Sequence, residues 1–193
     1  MIEDLKKITE LTSIKDSNFF YEAFFKKEDI KNIFRELKEN ELFSFDQLVD
    51  ITAIDYPSKE NRFELIYILL SMKKNKRIIL KTLVNENDSI DSIIQIFKAS
   101  DWYERECYDL FGIKFNNHPD LRRIMTDYNF EGHPLRKDFP LTGHNEVRYD
   151  DLEKKVVYEP VKLSQEYRNF DYSSPWEGFE NELIGDEKAN KEK

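Results

Sequence analysis

Apolar positions over the first 111 residues fall into regular alternations. Residues 19–25 (FFYEAFF) are aromatic-rich and predict a strand. Ile30, Ile33, Phe34 and Leu37 follow the i, i+3, i+4, i+7 spacing of one helix face. Within residues 45–55, Val49, Ile51 and Ala53 alternate with Asp50 and Thr52, the period of a strand with one solvated side. Residues 63–72 (FELIYILLSM) are apolar on both faces and predict a central strand covered on each side. After the polar connection 74–77, residues 78–84 (IILKTLV) predict its hairpin partner. Residues 87–89 can cap a helix, and Ile90, Ile93, Ile94 and Phe97 give it a stripe. A last helix is expected from about Asp101, with Glu104 at capping-box spacing and Tyr103, Cys107, Leu110 and Phe111 on one face. Gly112 would end it. The order β-α-β-β-β-α predicts an α+β fold, a mainly antiparallel sheet with helices packed on one face.

Backbone punctuation divides the chain. All five glycines and five of the six prolines lie at or beyond residue 112. The reading is therefore a globular α+β domain over 1–111, an extended Gly/Pro-rich C-terminal arm over 112–178, and a charged, frayed tail over 179–193. The arm holds ten aromatic residues, too many for the low-hydrophobicity disordered class. Each aromatic buries ~150–250 Å² only if it meets a surface. A segment so interrupted by Gly and Pro is not expected to build its own core, so the surface expected is another protein's, with an interface of the obligate class.

Charge and composition narrow the classes. With 30 Lys plus Arg against 39 Asp plus Glu, the formal net charge is −9. That argues against general nucleic-acid or anionic-membrane binding, both of which need a basic face. One cysteine, Cys107, excludes an internal disulfide and is too few ligands for a structural zinc or an iron–sulfur cluster. No apolar run approaches the ~18–20 residues of a membrane span. The opening MIEDLKKITE lacks the apolar stretch of a secretory signal and is too acidic for a transit peptide, so the protein is expected to work where it is made.

Candidate chemistry is sparse. His118, His133 and His144, with Asp127, offer a conceivable metal-dependent hydrolase, but their spacings match no helical or zinc-finger pattern. Arg122, Arg123, Arg136 and Lys137 place positive charge in an acidic chain and are read as pairing with carboxylates of a partner surface. Glu104, Glu106 and Asp109 read as helix-start charge and solvated face. Cys107 reads as a small core residue. No Ser/His/Asp order, Walker loop or dinucleotide fingerprint is present.

The run DWYERECYDLFGIKFNNHPDLRRIMTDYNFEGHPLRKDFPLTG (residues 101–143) resembles the signature of one peripheral-arm family of proton-pumping NADH:quinone oxidoreductase, respiratory complex I: its C subunit, known in mitochondria as NADH dehydrogenase subunit nine. The likeness continues through VVYEPVKLSQEYRNFDYSSPWEG (156–178) and more loosely back to residue 63. The resemblance implies a non-catalytic structural subunit of the peripheral arm, holding the quinone-reducing and cluster-bearing subunits in register. It implies no cofactor on this chain, with FMN, iron–sulfur clusters and ubiquinone in other subunits of the NADH:ubiquinone reductase. It implies a hetero-oligomer whose partners are peripheral-arm subunits, chiefly the large quinone-pocket subunit. The expected location is peripheral, at the matrix side of the mitochondrial inner membrane for an organelle-encoded chain or the cytoplasmic side of a bacterial inner membrane. By the matching positions, the candidate subunit-interface residues are Glu104, Arg105, His118, Arg122, Arg123, Asp127, Arg136, Lys137 and Asp138, with Trp176 farther along.

Overall fold

The computed structural model describes residues 2–17 and 19–165, in two compact units, Met1–Gly143 and His144–Lys193. The first unit contains α1 (Ile2–Leu5), β1 (Leu11–Asp16), β2 (Phe20–Phe25), α2 (Ile30–Glu39), β3 (Gln47–Asp55), β4 (Phe63–Ser71), β5 (Lys76–Val84), β6 (Ser89–Asp91), α3 (Ser100–Phe111) and β7 (Lys114–Asn116). Five strands form one mixed sheet in the order β1-β2-β5-β4-β3. Three of its pairings are antiparallel, and β2 runs parallel to β5. The parallel pairing needs a long crossover, and α2, β3 and β4 supply it.

One sheet face carries the core. Phe63, Leu65, Tyr67 and Leu69 of β4 point into it and are buried. Phe34 of α2 meets the Tyr67 ring edge-on at 4.9 Å, and Phe25 meets Phe34 at 5.8 Å. Cys107 of α3 donates its thiol to the carbonyl of Ile51, the cross-strand partner of Tyr67, at 3.3 Å. Both longer helices therefore lie on this face, as the sequence pattern predicts.

The opposite face has no helix over it among the described residues. Ile66, Ile68, Leu70 and Ile79 are half-buried there, and Lys81 pairs with Glu22 at 2.9 Å and Glu64 at 3.4 Å. This corrects the expectation that β4 is covered on both sides. A run apolar in both phases reports low polarity on two faces and says nothing about what covers each.

Two further readings change. A bulge between Leu48 and Asp50 turns Leu48 inward and leaves Val49 40% exposed, breaking the simple alternation with Ile51 and Ala53. The helix expected at Ile90, Ile93, Ile94 and Phe97 does not form. Ser89–Asp91 is strand β6, paired in parallel with β7, and turns follow it. Ile90, Ile93 and Phe97 are buried as the stripe requires, but their backbone is fixed from outside: the Ser92 amide donates to the Asn116 carbonyl and the Ile93 amide to Glu104. Strands β1 and β7 and the short helix α1 carry no strong periodic signal, and the sequence pattern does not predict them.

The compact first unit continues past Phe111 to Gly143. Ile113 and Phe115 join its core, and Leu121 packs against it. The chain around residues 121–126 is non-helical. The second unit contains a hairpin of β8 (Asn145–Asp150) and β9 (Lys155–Pro160). Val147 faces Tyr158 and Tyr149 faces Val156 across it, all four more than half exposed. The charged tail and Trp176 lie outside the described residues.

Candidate functional site

An α-helix leaves its last four carbonyls without internal donors. In α3 every one is supplied. Gly112, at φ +80°, donates its amide to the Tyr108 carbonyl at 2.9 Å, the left-handed turn that glycine makes without Cβ strain. The other three donors come from a segment more than twenty residues later in the sequence. His133 donates from Nδ1 to the Asp109 carbonyl at 2.8 Å, the Leu135 amide donates to Leu110 at 3.1 Å, and Arg136 Nε donates to Phe111 at 2.6 Å. The residues GHPLR at 132–136 thus serve as a remote cap. A Cβ on Gly112 would stand 2.4 Å from the Arg136 guanidinium and 2.7 Å from His133 Nε2.

Two buried carboxylates hold the segments leading into and out of this cap. Asp109, whose side chain is fully buried, accepts at Oδ2 from the amides of Ile124, Met125 and Thr126, and at Oδ1 from the Thr126 hydroxyl and Arg123. Burial alone would push its carboxyl up, but the Thr126 hydroxyl and these amides outweigh it and hold Asp109 below the usual carboxylate range. Asp55, at the inner phase of β3, accepts two bonds from Arg62, at 2.8 and 3.0 Å, and one from the Lys137 amide at 2.7 Å. Burial again works upward, and Arg62 followed by the Lys137 amide brings this carboxyl down too.

Arg62 and Arg136 both lie over the Phe63 ring at 5.3 Å. Glu86 accepts from both guanidiniums, at 3.2 Å from Arg62 and 2.5 Å from Arg136, and Asp138 closes the network at 2.9 Å from Arg62. The residues linked here come from β3, β4, the turn before β6, and the 131–138 segment.

Several of the sequence-derived interface residues have partners within the chain. Arg123 and Arg136 bind Asp109 and Glu86, and Asp138 binds Arg62. Arg122, exposed, pairs with Asp120. Arg105 lies over Trp102 at 5.4 Å and donates to the Arg122 and Arg123 carbonyls. Lys137 contributes its amide, with its residue exposed, and Asp127 is exposed. His118 and Glu104 have fully buried side chains 3.9 Å apart. Glu104 and Asp109 are thus not on a solvated helix face, and Glu104 accepts from Ile93 instead of capping α3. Sequence reasoning missed Asp55, Arg62 and Glu86. The available signal was parity: Asp55 shares the strand phase of Ile51 and Ala53 and so had to be buried and paired.

His118 and His133 do not converge. His118 and His133 bond backbone carbonyls at opposite ends of α3, and His144 belongs to the second unit. Among the described residues no group of three or more His, Cys, Asp or Glu side chains is placed to hold a metal ion. Among the described residues the hydrolase reading finds no site.

Fold and site together define an α+β domain that fastens its own Gly/Pro-rich continuation over the end of a helix. Residues 23–145 match the family described as the respiratory-chain NADH dehydrogenase 30 Kd subunit, and the chain belongs to that family. It is 53% identical to the NADH-quinone oxidoreductase C subunit of Hyphomonas neptunium over 84% of this chain and 81% of that one. It is 57% identical to the C subunit of a Chelativorans species over 83% of this chain and 80% of the relative. A solved structure, that of the membrane-bound sulfane sulfur reductase, an archaeal respiratory membrane complex, contains a chain with 26% identity and a TM-score of 0.63. That match covers 72% of this chain and 82% of the other.

Proposed function

We propose that this protein is the structural C subunit of an NADH:ubiquinone oxidoreductase that couples electron transfer to proton translocation. It holds the quinone-reducing and cluster-bearing subunits in register within the peripheral arm. Family membership and more than 50% identity to subunits of that name support the assignment. The observation that carries the binding role is the sheet face with no helix over it among the described residues, where Ile66, Ile68 and Ile79 are half-buried; the second unit, taken by itself, has a hairpin displaying Val147, Tyr149, Val156 and Tyr158. Apolar surface of this kind on small proteins marks protein–protein contact.

On this reading the large quinone-pocket subunit is the chief partner, and FMN, iron–sulfur clusters and quinone belong to other subunits. The chain sits peripherally, at the cytoplasmic face of a bacterial inner membrane or the matrix face of the mitochondrial one. No helix among the described residues is long and apolar enough to cross a membrane. The interface candidates remain those of the motif: Glu104, Arg105, His118, Arg122, Arg123, Asp127, Arg136, Lys137, Asp138 and Trp176.

The test is Ile68→Glu in the cell that makes the complex. Ile68 lies on the outer face, so the soluble chain should keep its thermal midpoint within a few degrees while recovery of intact complex falls at least tenfold. Full recovery of complex from this variant would refute the assigned surface.

A further inference from the structure

One end of the main sheet carries cations that the fold does not use. Strand β4 turns into β5 through residues 72–75, and residues 72–77 read MKKNKR. Met72, Lys73, Lys74, Asn75 and Arg77 are exposed. Among the described residues Lys73, Lys74 and Arg77 form no ion pair, in a chain whose formal net charge is −9. Lys76 lies over the Tyr21 ring at 5.6 Å. Asp46, just before β3, is already committed, because its Oδ1 accepts from the Met72 amide at 3.3 Å.

This tip is held in shape before any contact is made. The Lys74 amide donates to the Ser71 hydroxyl at 3.3 Å, and Asn75 takes the left-handed conformation, at φ +49°, that asparagine tolerates better than most residues. Ser71 and Ile78, at its root, are fully buried. A loop fixed in advance loses little ordering entropy when it docks. Exposed apolar side chains stand at the same end of the sheet. Met72 is 61% exposed, and Phe19, one residue before the Phe20–Arg77 pairing of β2 with β5, is 82% exposed.

We propose that the β4–β5 tip docks on an acidic protein surface, in a contact separate from the outer sheet face. The proposal rests on the subunit reading and gives one companion of this chain a chemistry: carboxylates around an apolar depression. Aromatic residues, Met and Arg are enriched at protein–protein interfaces, whereas Lys is depleted there. Phe19, Met72 and Arg77 are therefore the anchors, with Lys73 and Lys74 at the rim. A bilayer or a nucleic-acid duplex carries its negative charge over an extended surface and meets the acidic remainder of the molecule together with the tip. A protein partner can meet the tip alone, where positive potential faces negative.

The test starts from the complex captured from the producing cell through a tag on the full chain. A carbodiimide joins an amine to a carboxylate where the two touch, and mass spectrometry of the digest identifies the joined residues. Cross-links are expected from Lys73 or Lys74 to Asp or Glu of another protein. The doubly reversed chain, Lys73→Glu with Lys74→Glu, changes two exposed side chains and should keep its thermal midpoint within a few degrees. Like charges then face each other across the contact, so recovery of intact complex should fall by about tenfold or more. Absence of such cross-links, or recovery undiminished by the reversal, would overturn the proposal. So would sedimentation of the isolated parent with phosphatidylserine vesicles, or its retention on duplex DNA, at physiological salt where the reversed chain stays free. A chain captured without companions refutes the subunit assignment and the docking proposal with it, an outcome distinct from a complex that forms and shows no cross-link.

Discussion

Gly112 and Asp109 carry most of the geometry in the least sequence. At Gly112 the backbone is left-handed and two side chains stand where a Cβ would project. Gly112→Ala should therefore destabilise the chain by about 2 kcal/mol or more, from αL strain plus displacement of Arg136, as read by urea unfolding. Asp109→Asn removes the charge that three amides, a hydroxyl and a guanidinium converge on, and hydrogen bonds to a charged group are worth about 1.5–3 kcal/mol. A loss of about 2–3 kcal/mol at pH 7 is expected. The folded-state values of Asp109 and Asp55 are depressed, so the stability they give is present above the ordinary carboxylate pKa of about 3.9 and is lost as pH falls through the depressed values. In acid titrations monitored by circular dichroism, the Asp109→Asn protein should show a shallower loss of stability than its parent. An unchanged acid slope would show that Asp109 is not the titrating group.

Among the elements, α3 is legible in outline but not in its ends. Its position, its Cys107 face and its terminating glycine follow from spacing and from the conformational freedom of glycine. The donors to its last three carbonyls do not, because they are contributed by residues 133–136, and no local pattern encodes a remote cap. The same holds for residues 90–97, where pairing of β6 with β7 overrides a helical stripe of Ile and Phe. Arg123, Arg136 and Asp138 read as reaching outward because sequence shows their sign and not the partners within the chain, Asp109, Glu86 and Arg62, that also bind them. Arg136→Ala should free the Phe111 carbonyl and leave Glu86 with Arg62 alone. The expected result is faster amide exchange at Leu135 and Gly112, with exchange in β4 and β5 unchanged. Slowed or unchanged exchange at Leu135 would show that the Arg136 bond does not hold the segment.

At the scale of the whole chain, the sheet, its two longer helices on one face and the core residues Phe34, Leu65, Tyr67 and Leu80 are readable from periodicity. The parallel β2–β5 pairing is not, since alternation gives the face of a strand and not its neighbour. The outer sheet face reads from sequence as covered within the chain, and that error is informative. Ile66, Ile68 and Ile79 are as apolar as core residues yet only half-buried, which is the state expected of a surface completed by a partner. The family assignment and this exposed face agree in describing a component of a larger assembly.

The remote cap on α3 also bears on how the polypeptide matures at the ribosome. When residue 112 has been added, the helix preceding it still has three bare carbonyls, and the groups that will satisfy them have yet to be translated. Native closure of the domain must wait for at least another two dozen codons and for the emergence of that stretch from the exit tunnel. A truncation just before residue 133 would be expected to yield a product that proteases clear, even though every strand of its main sheet is already present.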